Sequence, residues 1–126
     1  KRIVPISMRR RYIDDLTAKL DLGRVRSSGI KILYDAMHGA GQGVLPEIVP
    51  GVTQMRSEFN PSFGGVNPEP LAQNLGGLMQ RVKDEKFDIG IATDGDADRI
   101  GAVDEKGNFV DSHKGFSLLL EYLYEE

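Results

Sequence analysis

The sequence predicts an α/β fold: a three-layer αβα sandwich around a mostly parallel four-stranded sheet with an antiparallel edge strand. Three observations carry this. Short β-branched runs alternate with amphipathic segments, the pattern of successive βαβ units. Two of those runs open directly into turns rich in glycine or aspartate, as at the carboxyl ends of parallel strands. Only the last two runs are joined by a connection too short for a crossover, which makes them an antiparallel pair.

Taken in order, the chain opens without an initiator methionine, and Ile3-Val4-Pro5-Ile6 reads as a connecting segment cut from something longer. From Ser7 the pattern turns helical. Tyr12, Ile13, Leu16 and Leu20 form an apolar stripe, and Arg9-Arg10-Arg11 reads as a solvated basic face. Residues 30–37 are the first clear strand. They run into His38-Gly39-Ala40-Gly41-Gln42-Gly43 and a short helix over 44–49. Such a turn can present backbone N–H groups to an anion, but neither a P-loop nor G-x-G-x-x-G spacing is present. The glycines are therefore read as serving a tight βα turn with positive φ angles, and His38 as a hydrogen-bonded structural residue.

Residues 52–59 form a second strand with mixed faces, placed near an edge. A loop stiffened by Pro61, Pro68 and Pro70 leads to a helix over 71–86, with Leu71, Leu75, Leu78, Met79 and Val82 as its buried stripe. Gly76-Gly77 weakens that helix and is read as allowing close packing on the sheet. Strands over 87–93, 99–104 and 109–111 follow. Ser112 is read as the N-cap of a last helix that buries Leu118, Leu119, Leu120 and Leu123. The His38 turn and the loop after residue 93 both leave carboxyl ends of strands, so they are expected on one rim.

Composition bounds the function. At 126 residues there is room for one domain with a core; 28% charged and 40% hydrophobic residues suit a soluble globular protein. A net charge of −3 argues against a nucleic-acid-binding face. With no cysteine, disulfides and thiolate metal sites are excluded. No signal peptide and no apolar run of membrane-spanning length is visible, so a cytoplasmic location without a membrane partner is expected.

The chemistry concentrates in Thr93-Asp94-Gly95-Asp96-Ala97-Asp98-Arg99, at the mouth of the strand over 87–93. Alternate residues of an extended chain project to one side, so a curved loop brings Asp94, Asp96 and Asp98 together. Three close anions repel unless a cation sits among them, and an all-oxygen set suits a hard divalent ion such as Mg²⁺, Ca²⁺ or Mn²⁺. Gly95 and Ala97 are small, which lets the backbone bend.

This loop resembles the metal-binding loop of the α-D-phosphohexomutases, the family of phosphoglucomutase and phosphomannomutase. The turn Asp35-Ala36-Met37-His38-Gly39-Ala40-Gly41 and the stretch Asn67-Pro68-Glu69-Pro70 support the resemblance, in the family's order and over residues 30–126. It implies that residues 30–126 are the family's second domain and that residues 1–29 lead in from a preceding one. It further implies a hexose phosphate substrate and phosphoryl transfer between two sugar hydroxyls, through an enzyme phosphoserine and a bisphosphorylated sugar. Mg²⁺ would be held by Asp94, Asp96, Asp98 and a phosphoserine oxygen. Arg99 would stand beside the transferring phosphate, its alternative role being an ion pair that steadies the acidic loop. The family's phosphoserine motif is missing, since none of Ser7, Ser27, Ser28, Ser57, Ser62, Ser112 or Ser117 has its context. The remaining mutase domains are therefore expected as partners, and the chain alone is expected to be inactive.

Two rival readings remain. Asp94, Asp96, Asp98 and Glu105 occupy positions one, three, five and twelve of an EF-hand-like loop, although Arg99 stands where that loop needs glycine. Alternatively, Asp94 is the nucleophile and Asp96 the acid–base of an aspartyl phosphatase.

Overall fold

In the computed structural model, residues 3, 4 and 6–125 are described; the reading of Lys1, Arg2 and Pro5 as part of a connecting segment lies outside them. The elements run α1 (Arg9–Lys19), α2 (Gly23–Ser27), β1 (Ile32–Asp35), α3 (Val44–Ile48), β2 (Thr53–Met55), α4 (Gly76–Glu85), β3 (Ile89–Thr93), β4 (Ile100–Val103), β5 (Phe109–Val110) and α5 (Ser112–Glu125). The sheet order is β2-β1-β3-β4-β5, with β2, β1 and β3 parallel. β4 and β5 add antiparallel ladders, so the edge takes in two strands and brings the sheet to five. The edge position of β2 is as expected. No described helix is long and apolar enough to cross a membrane.

Strand alternation divides the core. On one face Leu33, Ala92 and Val103 meet Leu75, Leu78 and Val82 of the α4 region, with Met37 closing the cluster. On the other, Ile32, Ile89 and Ile91 meet Ile13 and Leu16 of α1 and Ile48 and Val49 at the end of α3. The lead-in helix thus covers the sheet itself. Arg9 pins it there: its Nε donates to Glu47 Oε1 (2.8 Å) and its Nη1 to the Gln42 carbonyl (3.0 Å).

Several expectations are corrected. Tyr12 and Leu20 are exposed, because a helix of eleven residues resting on a short α3 buries only a narrow strip around Ile13. The helix expected over 71–86 is a 3₁₀ turn, Ala72–Asn74, followed by α4 from Gly76, and Leu71 is exposed. Its glycines therefore sit at a helix start, where nothing crowds Gly76. Close helix–sheet approach is enabled instead by Gly90 of β3, where a Cβ would lie 2.7 Å from Val82 Cγ2. At α5 the N-cap is Asp111, whose Oδ1 accepts from the N–H groups of His113 (3.0 Å) and Lys114 (2.9 Å). Leu118, Leu119, Leu120 and Leu123 are all exposed. Their spacing identifies an apolar helix but not what covers it: α5 approaches the sheet at β4 and these leucines stay exposed.

Candidate metal centre

β1 and β3 are neighbours in register, Asp35 opposite Ala92, so the turns that follow them meet on one rim as expected. The N–H of Ala40 donates to the Gly95 carbonyl (2.9 Å). Gly39 lies so near that a Cβ on it would stand 2.6 Å from the Asp94 carbonyl oxygen and 2.8 Å from that of Gly95. This corrects the reading of the turn's glycines. Only Gly43 of the three has positive φ (71°), whereas Met37 and His38 adopt it without being glycine. Gly39 and Gly41 are small because neighbours press on them. A Cβ on Gly41 would strike the hydrogen-bonded Tyr34 and Thr93 hydroxyls. His38 is structural in its contacts, with Nδ1 3.1 Å from the Glu58 carbonyl oxygen.

The acidic loop is closed from within. Asp94 is 1% exposed, and its Oδ1 accepts from the Arg99 N–H (3.0 Å) while Oδ2 accepts from Arg99 Nε (2.8 Å). The left-handed residue of the bend is Ala97 (φ 65°), and Gly95 is not forced into that region. Burial opposes the charge on Asp94, but the Arg99 N–H and guanidinium outweigh it and hold the carboxyl down at about 2. The same contact, followed by one to Glu69, raises Arg99 above its usual range.

Asp94, Asp96 and Asp98 each offer an oxygen, all within 4.8 Å of one another. Asp96 and then Asp94 repel the Asp98 carboxylate and raise its pKa, and Arg99, 3.8 Å from Asp98, offsets this only in part. The donor set fits a hard cation. Neighbouring oxygens around Mg²⁺ at about 2.1 Å lie about 3 Å apart, so the exposed Asp96 and Asp98 would have to close in to hold the ion. A cleft of about 450 Å³ opens beside this loop, lined among others by Arg9, His38, Asn60 and Gly95.

The rivals fare badly here. β4 carries the chain back along β3, with Val103 opposite Gly90, so Glu105 lies towards the other end of the sheet and outside the cluster. Asp94 is buried, and Arg99 donates to both of its oxygens, which lowers their nucleophilicity towards phosphorus while leaving a lone pair on each for a cation.

Two groups on this rim escaped the sequence reading. Asp35, 0% exposed at the end of β1, forms a bidentate pair with Arg56 after β2, its oxygens 2.8 and 2.5 Å from Nε and Nη2. Glu69 accepts from Arg99 Nη1 through Oε1 (3.0 Å). Asn67-Pro68-Glu69-Pro70 was visible as a motif, but nothing in its spacing points across thirty residues to Arg99; Arg56 carried no signal.

The chain is an α/β sandwich whose parallel strands end in an aspartate-rich rim. Residues 10–107 match the family described as phosphoglucomutase/phosphomannomutase, alpha/beta/alpha domain II, and the chain belongs to that family. Among similar proteins, a Methanosphaera stadtmanae protein named a probable phosphoglucosamine mutase is 38% identical, over 90% of this chain and 25% of its own length. A phosphopentomutase of Thermococcus kodakarensis is 38% identical over 79% of this chain and 23% of its own. A solved Thermus thermophilus structure, described provisionally as a phosphomannomutase, superposes with a TM-score of 0.87 at 35% identity, over 95% of this chain and 29% of that one. The chain thus spans about a quarter of the length of the curated relatives it matches.

Proposed function

We propose that this chain is the metal-binding domain of a phosphohexomutase that moves a phosphoryl group between the 1- and 6-positions of a hexose phosphate, through an enzyme phosphoserine and a bisphosphorylated sugar. Residues 30–126 carry the metal loop, the chain leads in from a preceding domain through residues 1–29, whose α1 packs onto the same sheet as part of this domain, and the protein works in the cytoplasm. The observation that carries the reading is the convergence of Asp94, Asp96 and Asp98 on the rim of a sheet with this family's fold.

In this reading Asp94 is the preset ligand, because Arg99 already fixes its carboxylate. Asp96 and Asp98, on the exposed side of the loop, would hold Mg²⁺ with it, together with a phosphoserine oxygen supplied from elsewhere in the protein. Bound Mg²⁺ supplies neutralisation of the charge on the phosphoryl oxygens. Arg99 keeps Asp94 ionised and turns the remaining edge of its guanidinium towards the phosphate. The serine and the sugar-reading groups lie outside this chain, so the choice among glucose, mannose and glucosamine phosphates is made there.

The test is an NMR titration of the chain with Mg²⁺. The expected result is a set of amide shifts centred on residues 93–99 that Asp96→Asn and Asp98→Asn each weaken. A wild-type spectrum indifferent to Mg²⁺, with and without a phosphoserine peptide, would overturn the metal assignment. The chain alone is expected to show no mutase turnover, and detecting turnover would remove the division of labour between domains.

A further inference from the structure

We propose that Glu69 is a positioning residue for Arg99, setting which edge of the guanidinium faces the phosphate. The inference rests on the reading of Arg99 given above.

The segment containing Glu69 runs alongside the metal loop and the start of β4 and meets them at three levels. The Pro68 carbonyl accepts from the Gly95 N–H (3.1 Å). Glu69 Oε1 accepts from Arg99 Nη1 (3.0 Å). The Pro70 carbonyl oxygen presses on Gly101, where a Cβ would be 2.7 Å away. Glu69 is itself held from both sides. Its Oε2 accepts from Asn67 Nδ2 (2.9 Å), and its carbonyl accepts from Asn74 Nδ2 (3.0 Å). The Asn74 carbonyl in turn accepts from Arg56 Nη2 (3.2 Å), which the buried Asp35 anchors.

A guanidinium is a rigid planar fork of donors, so two fixed acceptors define its plane. Asp94 takes Nε and Glu69 takes Nη1, and Nη2 makes no hydrogen bond to any described residue. That nitrogen is the edge left for a phosphate oxygen. The Arg99 side chain is 56% exposed, and without Glu69 it keeps its contacts to Asp94 (2.8 Å) and Asp98 (3.8 Å), both through Nε, and can swing about that nitrogen. An ion pair this open adds little to folding, so its consequence falls on orientation.

Three roles for Glu69 separate by experiment: positioning, loop support, and repulsion of the phosphate. Glu69→Gln keeps the acceptor oxygen and drops the charge, whereas Glu69→Ala drops both. The first measurement is ligand-free: the Arg99 Nη–H resonances are expected to be slow to exchange in the wild type and in Glu69→Gln and lost in Glu69→Ala, while Nε–H, held by Asp94, persists in all three. The second is an NMR titration with Mg²⁺, followed by inorganic phosphate at saturating Mg²⁺. Half-saturation by Mg²⁺ should stay within about two-fold in both variants, because no ligand is removed; phosphate binding should weaken about five-fold or more in Glu69→Ala and recover in Glu69→Gln. Equal loss of Mg²⁺ and phosphate binding in Glu69→Ala would reduce Glu69 to loop support. Tighter phosphate binding in both variants would make it a repulsive charge, and either result overturns positioning. A wild type blank to both ligands fails the functional reading instead, and the Nη–H signals then still decide whether Glu69 holds Arg99.

Discussion

Gly39→Ala tests how the metal loop is held from its own strand's neighbour. The added Cβ would stand 2.6 Å from the Asp94 carbonyl oxygen, 2.8 Å from that of Gly95 and 2.9 Å from Gly95 Cα. All three are backbone atoms, so no side chain can rotate away. Restoring ordinary contact at about 3.4 Å moves the loop by roughly 0.8 Å, enough to strain the Ala40–Gly95 hydrogen bond. Overpacking of this kind costs about 1–3 kcal/mol, offset by about 0.4–1 kcal/mol because alanine stiffens the unfolded chain. The net expectation is a loss of about 1–2 kcal/mol, a fall of roughly 1 M in the urea midpoint at a slope of about 1–2 kcal/mol per molar. Amide shifts should centre on residues 94–96, and Mg²⁺ affinity should fall with stability. An unchanged midpoint with an unmoved loop would refute the claim that the βα turn and the metal loop are packed backbone to backbone.

Further outcomes follow from the same rim and from α5. Arg56→Met leaves Asp35 buried and unpaired and should cost about 3–5 kcal/mol by urea denaturation, with Arg56→Lys milder but not silent. Asp94, held at about 2, contributes stability that is fully present above its unfolded pKa of about 4 and lost as pH falls through about 2; in chelator, Asp94→Asn should flatten the acid limb of the stability curve across that window. Asp111→Ala should remove about 1 kcal/mol of helix stability, read as lost amide protection at His113 and Lys114, while Ser112→Ala should leave both protected.

What could be read from the sequence, and what could not, divides along a physical line. The strand over 87–93, the acidic loop and its place on a shared rim were legible, because period-two patterning and turn chemistry are local. So was the parallel centre of the sheet, since connection length restricts pairing. The Asp35–Arg56 pair joins residues 21 apart in sequence through an arginine with φ of 46°, and no local pattern marks such a partner. Gly39 and Gly90 look like any turn or strand glycine until a neighbouring element is placed against them. The leucines of α5 show the converse error. A helical stripe announces that something should cover it, and the nearest candidate in one's own chain need not be that something.

The geometry of the acidic loop is accordingly set by residues that are not its acids. On one side Gly39 and Ala40 press on its backbone; on the other Pro68 accepts from Gly95; from inside Arg99 takes both oxygens of Asp94. These contacts fix the loop's path and one carboxylate, and leave Asp96 and Asp98 on the exposed side, repelling one another. A half-preset site of this kind is expected to bind a divalent ion weakly by itself, because two of its three acids must be ordered and brought closer. A further anionic ligand delivered with the substrate-bearing parts of the protein would complete the shell and tighten the ion at that moment. Metal affinity would then be coupled to phosphoserine docking through the two exposed aspartates, and Asp94 would serve as their fixed reference.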